Sequence, residues 1–133
     1  MDLSKLSFKE TFSFQLKNPL TGDRLFSDGD KNKPMMVHLY SKASKQYNDV
    51  ITEVQSRYLR RQNKKDTLTV HDLQRESVEL LVRCTAKFEN ISYNGKECKT
   101  AQDFESLYTD PSVSWVKDQV NEALEDISNF LMK

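Results

Sequence analysis

The period of apolar positions changes near residue 40. Phe12, Phe14 and Leu16 alternate with Ser13 and Gln15, the repeat of two expected of a strand that buries one face. Asn18-Pro19-Leu20-Thr21-Gly22 follows. Pro presets φ and Gly permits positive φ, so a turn is predicted. Arg24-Leu25-Phe26 would begin a return strand, residues 27–33 are a polar loop, and residues 35–40 after Pro34 read as a further short strand. Residues 1–40 are therefore expected to form a small antiparallel β region.

Beyond residue 40 the spacing becomes helical. Tyr47, Val50, Ile51, Val54 and Tyr58 step by three and four, with Ser41 or Ser44 available as a cap. This helix would end among Arg60, Arg61, Lys64 and Lys65, where cations oppose the negative end of the helix dipole. Thr69-x-x-Asp72 resembles a capping box, and the helix it starts carries Val70, Leu73, Leu80, Leu81, Cys84 and Phe88 on one stripe. Asn94-Gly95 marks a turn. Thr100-x-x-Asp103 opens a short helix through Phe104, Leu107 and Tyr108. Asp110-Pro111 places a cap before Pro at the first helical position, and the last helix carries Val113, Val116, Val120, Leu124, Ile127 and Leu131, with Trp115 beside the stripe. The expected fold is α+β and mainly helical: a β region over 1–40, then three longer helices and one short one over 41–133, in a single domain.

Composition narrows the function more than the fold. The chain has 133 residues, of which 30% are charged and 37% hydrophobic, which suits one ordered domain with much solvated or partner-facing surface. Net charge is zero, so nothing in the total favours nucleic acid, but the distribution is uneven. Residues 31–65 hold nine Lys/Arg against Asp49 and Glu53, whereas residues 101–133 hold seven acids against Lys117 and Lys133. Arg57, Arg60, Arg61, Lys64 and Lys65 could thus meet Asp118, Glu122, Glu125 and Asp126, either within one chain or head to tail between copies. The opening MDLSKLSFKE is charged and lacks an apolar run, so no secretory signal is expected and the chain reads as cytoplasmic.

Candidate chemistry is sparse. The three glycines are too far apart for a phosphate-cradling loop. His38, His71, Cys84 and Cys98 lack ligand spacing, so neither metal nor cofactor is expected. Cys84 falls on an apolar stripe and Cys98 in a polar loop, where an exposed thiol is expected. Glu122, Glu125 and Asp126 lie on the polar side of an amphipathic helix rather than in a cleft able to shift their pKa values. The chain is expected to be non-catalytic. The run from Arg57 to Lys65 could contact phosphates, but it lacks a helix-turn-helix context.

Two stretches resemble a known family. Phe14-Gln15-Leu16-Lys17-Asn18-Pro19-Leu20-Thr21-Gly22 is similar to the N-terminal strand and turn of the tail assembly chaperones of long-tailed bacteriophages. Residues 81–130 resemble the same family in the order of Phe88, Asn94-Gly95, Thr100, Leu107-Tyr108, Asp110-Pro111, Trp115, Gln119-Val120 and Asn129-Phe130. Phe88 stands where a Trp is common in the family, and residues 42–70 offer no match. The resemblance implies a protein made in the cytoplasm of an infected bacterium and absent from the finished virion. It would bind the tape measure protein and organise tail tube subunits around it. Trp115 and Phe130, at the margins of the last helical stripe, are the expected partner contacts. The alternatives are a permanent tail component, such as a connector or completion protein, and a nucleic-acid-binding regulator using residues 57–65.

Overall fold

The computed structural model describes residues 2–64, 69–126 and 129–130. Strands β1 (Thr11–Gln15) and β2 (Met36–Tyr40) pair antiparallel, with Phe12 opposite Leu39 and Phe14 opposite Val37. Their alternation puts Val37 and Leu39 wholly inside, while Phe12 and Phe14 pack against the core as half-buried rings. Between these strands the chain makes only the isolated bridges Lys17 to Arg24 and Phe26 to Pro34. The return strand expected at Arg24 therefore does not form. Leu25 instead wedges between the two strands: its N–H donates to Leu16 O, and its carbonyl accepts from Met35 N–H.

Helix α1 (Lys45–Lys64) starts at Ser44, whose hydroxyl accepts from Tyr47 N–H at 3.1 Å. Of the two candidate caps, Ser44 holds the N-cap. Ser41 braces the approach, its Oγ accepting from Ala43 N–H and donating to Lys9 O. Helix α2 (Val70–Cys84) opens on the complete Thr69/Asp72 capping box and packs on α1. The helical stripe expected to run on to Phe88 stops at Cys84, and β3 (Thr85–Glu89) follows directly. Thr85 adopts an extended backbone and its N–H bonds to Val82 O. Its hydroxyl donates to Leu81 O at 2.6 Å, which leaves Tyr108 OH, 2.7 Å away, to donate to Thr85 Oγ1. That satisfied pair closes the helix end in a buried setting, where an unpaired hydroxyl would be costly.

β3 joins the sheet on the far side of β2, giving the order β1-β2-β3. Phe88 faces Val37, and Leu39 faces Thr85 past an irregularity between His38 and Leu39. The β region is thus not confined to residues 1–40. A residue four beyond Cys84 satisfies the helical repeat, yet Thr85 and Phe88 turn inward while Lys87 and Glu89 face solvent. Unpaired strand groups on β2 decide between the two periods, because they need a ladder partner.

The short hairpin β4 (Ser92–Tyr93) and β5 (Lys96–Glu97) turns on Asn94 and Gly95, both at positive φ, the backbone that a two-residue primed turn demands. Cys98 follows and is buried, its N–H bonded to Ile91 O. The exposed thiol expected from its polar neighbours is therefore corrected: the hairpin folds back and carries Cys98 into the core. Helix α3 (Ala101–Thr109) begins at the Thr100/Asp103 capping box. Asp110 caps the 3-10 turn Pro111–Val113, which leads into α4 (Ser114–Glu125). Ile127 and Leu131 of the expected last stripe lie outside the described residues.

The core runs from the sheet to the helices without a break, joining Leu16, Val37 and Leu39 to Leu81, Phe104, Leu107, Val120 and Leu124. Each buried Leu or Phe contributes about 1.5–3 kcal/mol relative to exposure. Among the described residues the fold is α+β, with four α-helices and small antiparallel sheets.

Candidate protein-interaction surfaces

Salt bridges account for much of the basic helix. Arg57 Nη2 lies 2.8 Å from Glu79 Oε1, Arg61 Nη2 lies 2.6 Å from Glu76 Oε1, and Arg83 pairs with Glu53. These contacts tie α1 to α2 along their length. The Arg57 hydrogen bond, ahead of burial, sets the balance at Glu79 and holds its carboxyl below the usual range. Arg61 and Glu76 are close enough for charge attraction, although Glu76 Oε1 lacks hydrogen-bond geometry. Two of the cations assigned to self-association are therefore engaged within the chain, by acids of α2 rather than of α4. A count over residues 31–65 and 101–133 passes over Glu76 and Glu79. Their positions three apart, at the spacing of a helix face, are the signal that would have found them.

The remaining charges are differently placed. Arg60 and Lys64 are exposed on the distal half of α1, with no ion pair among the described residues. Lys65 lies outside the described residues. On α4, Glu125 meets Lys42 at 3.1 Å, one direct contact between the basic middle and acidic end of the chain. Asp118, Glu122 and Asp126 are exposed.

The two aromatics expected to touch a partner separate. Trp115 is half-buried against the core, so part of its ring faces solvent. Phe130 is 3% exposed and meets Phe12 edge-on at 5.1 Å between ring centres. Phe130 is thus a core residue, since the chain after α4 returns to the start of β1, where Lys9 N–H donates to Phe130 O.

Of the exposed large apolar side chains, Leu3, Leu6, Phe8 and Leu20 lie in the N-terminal region and the other four on α1 and α2. Leu59 is 59% exposed and Val70 71%, with Tyr58 and Leu73 about half exposed. Val70 and Leu73 continue the α2 stripe that buries Leu81 and Cys84, so the stripe runs on past the residues that cover it. Sequence reasoning recorded the stripe but had no means of telling where its cover ends. Beside α2, a groove of about 730 Å³ opens between Gln74, Val78 and Val82 on one wall and Glu105, Pro111 and Lys117 on the other.

Among the described residues, no group of His, Cys, Asp or Glu is arranged to hold a metal, and no helix is long and apolar enough to cross a membrane. The arrangement offers charged and apolar surface for another polypeptide. No protein-family model, curated protein or solved structure matches the chain.

Proposed function

We propose that this chain is a tail assembly chaperone of a long-tailed bacteriophage, acting in the cytoplasm of the infected host and absent from the finished virion. One observation carries the reading beyond the resemblance itself. The Gln119 side chain accepts from Lys17 N–H at 3.0 Å and donates to Lys17 O at 2.7 Å. Gln119 belongs to the Gln-Val pattern of the longer family-like stretch, and Lys17 to the strand-and-turn stretch. The two family-like segments are thus one structural unit, as a shared origin would require.

The client is a tape measure protein, long and helical, whose apolar seams need cover until the tube encloses them. Tyr58, Leu59, Val70 and Leu73 supply an exposed apolar surface for such a helix. Many copies along one client turn a weak contact into firm holding, and the copies also present tail tube subunits. Engagement of Arg57 and Arg61 by carboxylates leaves fewer cations for phosphate, which favours this reading over a nucleic-acid regulator.

Co-expression with the tape measure protein of the same phage tests the proposal. The unmodified chain should keep that protein soluble and co-purify with it, while purified virions lack the chain. Leu59→Asp with Leu73→Asp should abolish co-purification and leave the melting temperature unchanged, because both side chains are solvent-exposed. A tape measure protein left insoluble and unbound by the unmodified chain ends the chaperone reading. Presence of the chain in virions would make it a tail component.

A further inference from the structure

The outer edge of β1 is hydrogen-bonded at both ends and open between them. Antiparallel pairing makes alternate residues face the partner strand. Leu16 N–H bonds to Met35 O, and Glu10 O accepts from Ser41 N–H. In the register that pairs Phe12 with Leu39 and Phe14 with Val37, the even-numbered residues therefore face β2, and the odd-numbered ones point away. Two of these outward positions are satisfied: Lys9 N–H by Phe130 O, and Lys17 by the Gln119 amide, which stands in for a neighbouring peptide group. Between them, the outward N–H and C=O groups of Thr11, Ser13 and Gln15 make no hydrogen bond among the described residues.

This open edge is one wall of a groove of about 680 Å³. Gln119 and Glu122 of α4, with Asp126 and Asn129, line the opposite side. From Thr11 to Gln15 an extended chain covers roughly 13 Å, room for one strand of about five residues beside β1. A wall on the far side leaves a place for a single extended segment rather than for a second sheet. Unpaired edges are ordinarily blunted by charge, proline or a covering element, and β1 carries neither charge nor proline between Thr11 and Gln15.

We infer that β1 is a docking site for an extended segment of a partner protein, which adds as a fourth strand in the groove between β1 and α4. Main-chain bonds to Thr11, Ser13 and Gln15 hold it, the usual basis of affinity in strand addition. Charge on the facing wall sets its preference. Glu122 on the facing wall is exposed and has no ion pair among the described residues, while the cations of the groove, Lys17 and Arg24, lie on its β1 side towards the turn, so the segment carries a lysine or arginine opposite Glu122. Phe12 and Phe14, stacked at 6.3 Å, also line the groove. The inference does not depend on the chaperone reading.

The test uses the full chain and a capped five-residue peptide of alternating valine and threonine with a central lysine. Amide hydrogen exchange is followed by NMR at low salt and at several protein concentrations, so that the charge preference is read and self-association is seen separately. Added peptide should slow exchange at Thr11, Ser13 and Gln15 by roughly tenfold or more, with Phe12 and Phe14 unchanged. Ser13→Pro removes an N–H that the fold does not use, a position where an edge strand tolerates proline. It should abolish binding and keep the melting temperature. Glu122→Lys should weaken the lysine peptide and favour one with a central glutamate, and it tests the site even if Ser13→Pro disturbs the strand. No slowing at millimolar peptide, or binding indifferent to both substitutions, overturns the proposal. Slowing that appears without peptide and grows with protein concentration would assign the edge to a second copy, and overturns it equally.

Discussion

Burial keeps both thiols protonated. The Cys84 thiol is pushed up to about 11 by desolvation, against a small opposing pull from the Arg83 charge, and burial likewise raises Cys98. A group whose pKa is higher folded than unfolded holds its proton more tightly in the fold. The stability linked to Cys84 is then complete below about 9 and is lost as pH rises toward about 11. Urea midpoints measured across that interval should fall, and Cys84→Ala should flatten the fall while lowering the whole curve. A thiol-specific reagent should react slowly with the native chain at pH 8 and rapidly in denaturant. Rapid reaction of Cys98 without denaturant would mean that it is not buried. Asp103 works in the opposite sense. Backbone N–H groups of Lys99 and Thr100 donate to its carboxylate and hold it down at about 2, so the cap of α3 persists through mild acid. Thr100→Ala removes the other half of the box and should cost about 1 kcal/mol, readable as a shift in the urea midpoint.

At the scale of elements, the places where sequence and structure part have physical causes. Helix starts were legible because caps are local: Ser44, Thr69, Thr100 and Asp110 each bond to backbone within three residues. The hairpin at Asn94-Gly95 was legible for the same reason, since positive φ is a demand of two adjacent residues. β3 was not. Phe88 satisfies a helical repeat from Cys84 and a strand alternation from Thr85 equally, and the deciding partner, β2, lies some fifty residues earlier. Phe88→Ala should therefore destabilise by about 3–5 kcal/mol, because the ring sits 4.7 Å from Phe104 and 5.9 Å from Tyr108 between ring centres. Lys87→Ala, on the exposed face of the same strand, should change little; equal effects would argue against the strand. The acidic face of Glu76 and Glu79 was legible in their spacing, but its pairing with α1 was not, because the α1–α2 ion pairs are cross-helix contacts between residues 15 to 30 positions apart. A double-mutant cycle on Arg57 and Glu79 should give a coupling of about 0.5–1 kcal/mol that shrinks as salt is added. No coupling at low salt would remove the pair from the account of why the helices stay together.

For the whole molecule, the uneven charge becomes smaller and better located once the internal pairs are removed. Arg57 and Arg61 are engaged by Glu79 and Glu76, and Lys42 by Glu125. Arg60 and Lys64 remain on the distal half of α1, with Asp118 and Glu122 on α4. The Lys42–Glu125 contact fixes the near end of α1 beside the far end of α4. Arg60 stands about 20 Å further along α1 at the rise of an α-helix, whereas Glu122 is one turn from Glu125, so the two cannot readily meet within a chain. Between chains they could, and the contact we propose would be head to tail, the distal half of one α1 on the α4 of the next. Such a contact repeats without using itself up and builds rings or open spirals, depending on whether its rotation closes. That geometry would suit the proposed role along an extended client. Being exposed, such a contact would be weak and screened beyond about 10 Å at 0.1 M salt. Light scattering should therefore report a mass that rises with protein concentration at low salt and falls to the monomer as salt is added. Arg60→Glu with Lys64→Glu should hold the chain monomeric throughout, and adding Asp118→Lys with Glu122→Lys to that variant should restore association by reversing both partners. A strict monomer at low salt and high concentration would sink the head-to-tail contact.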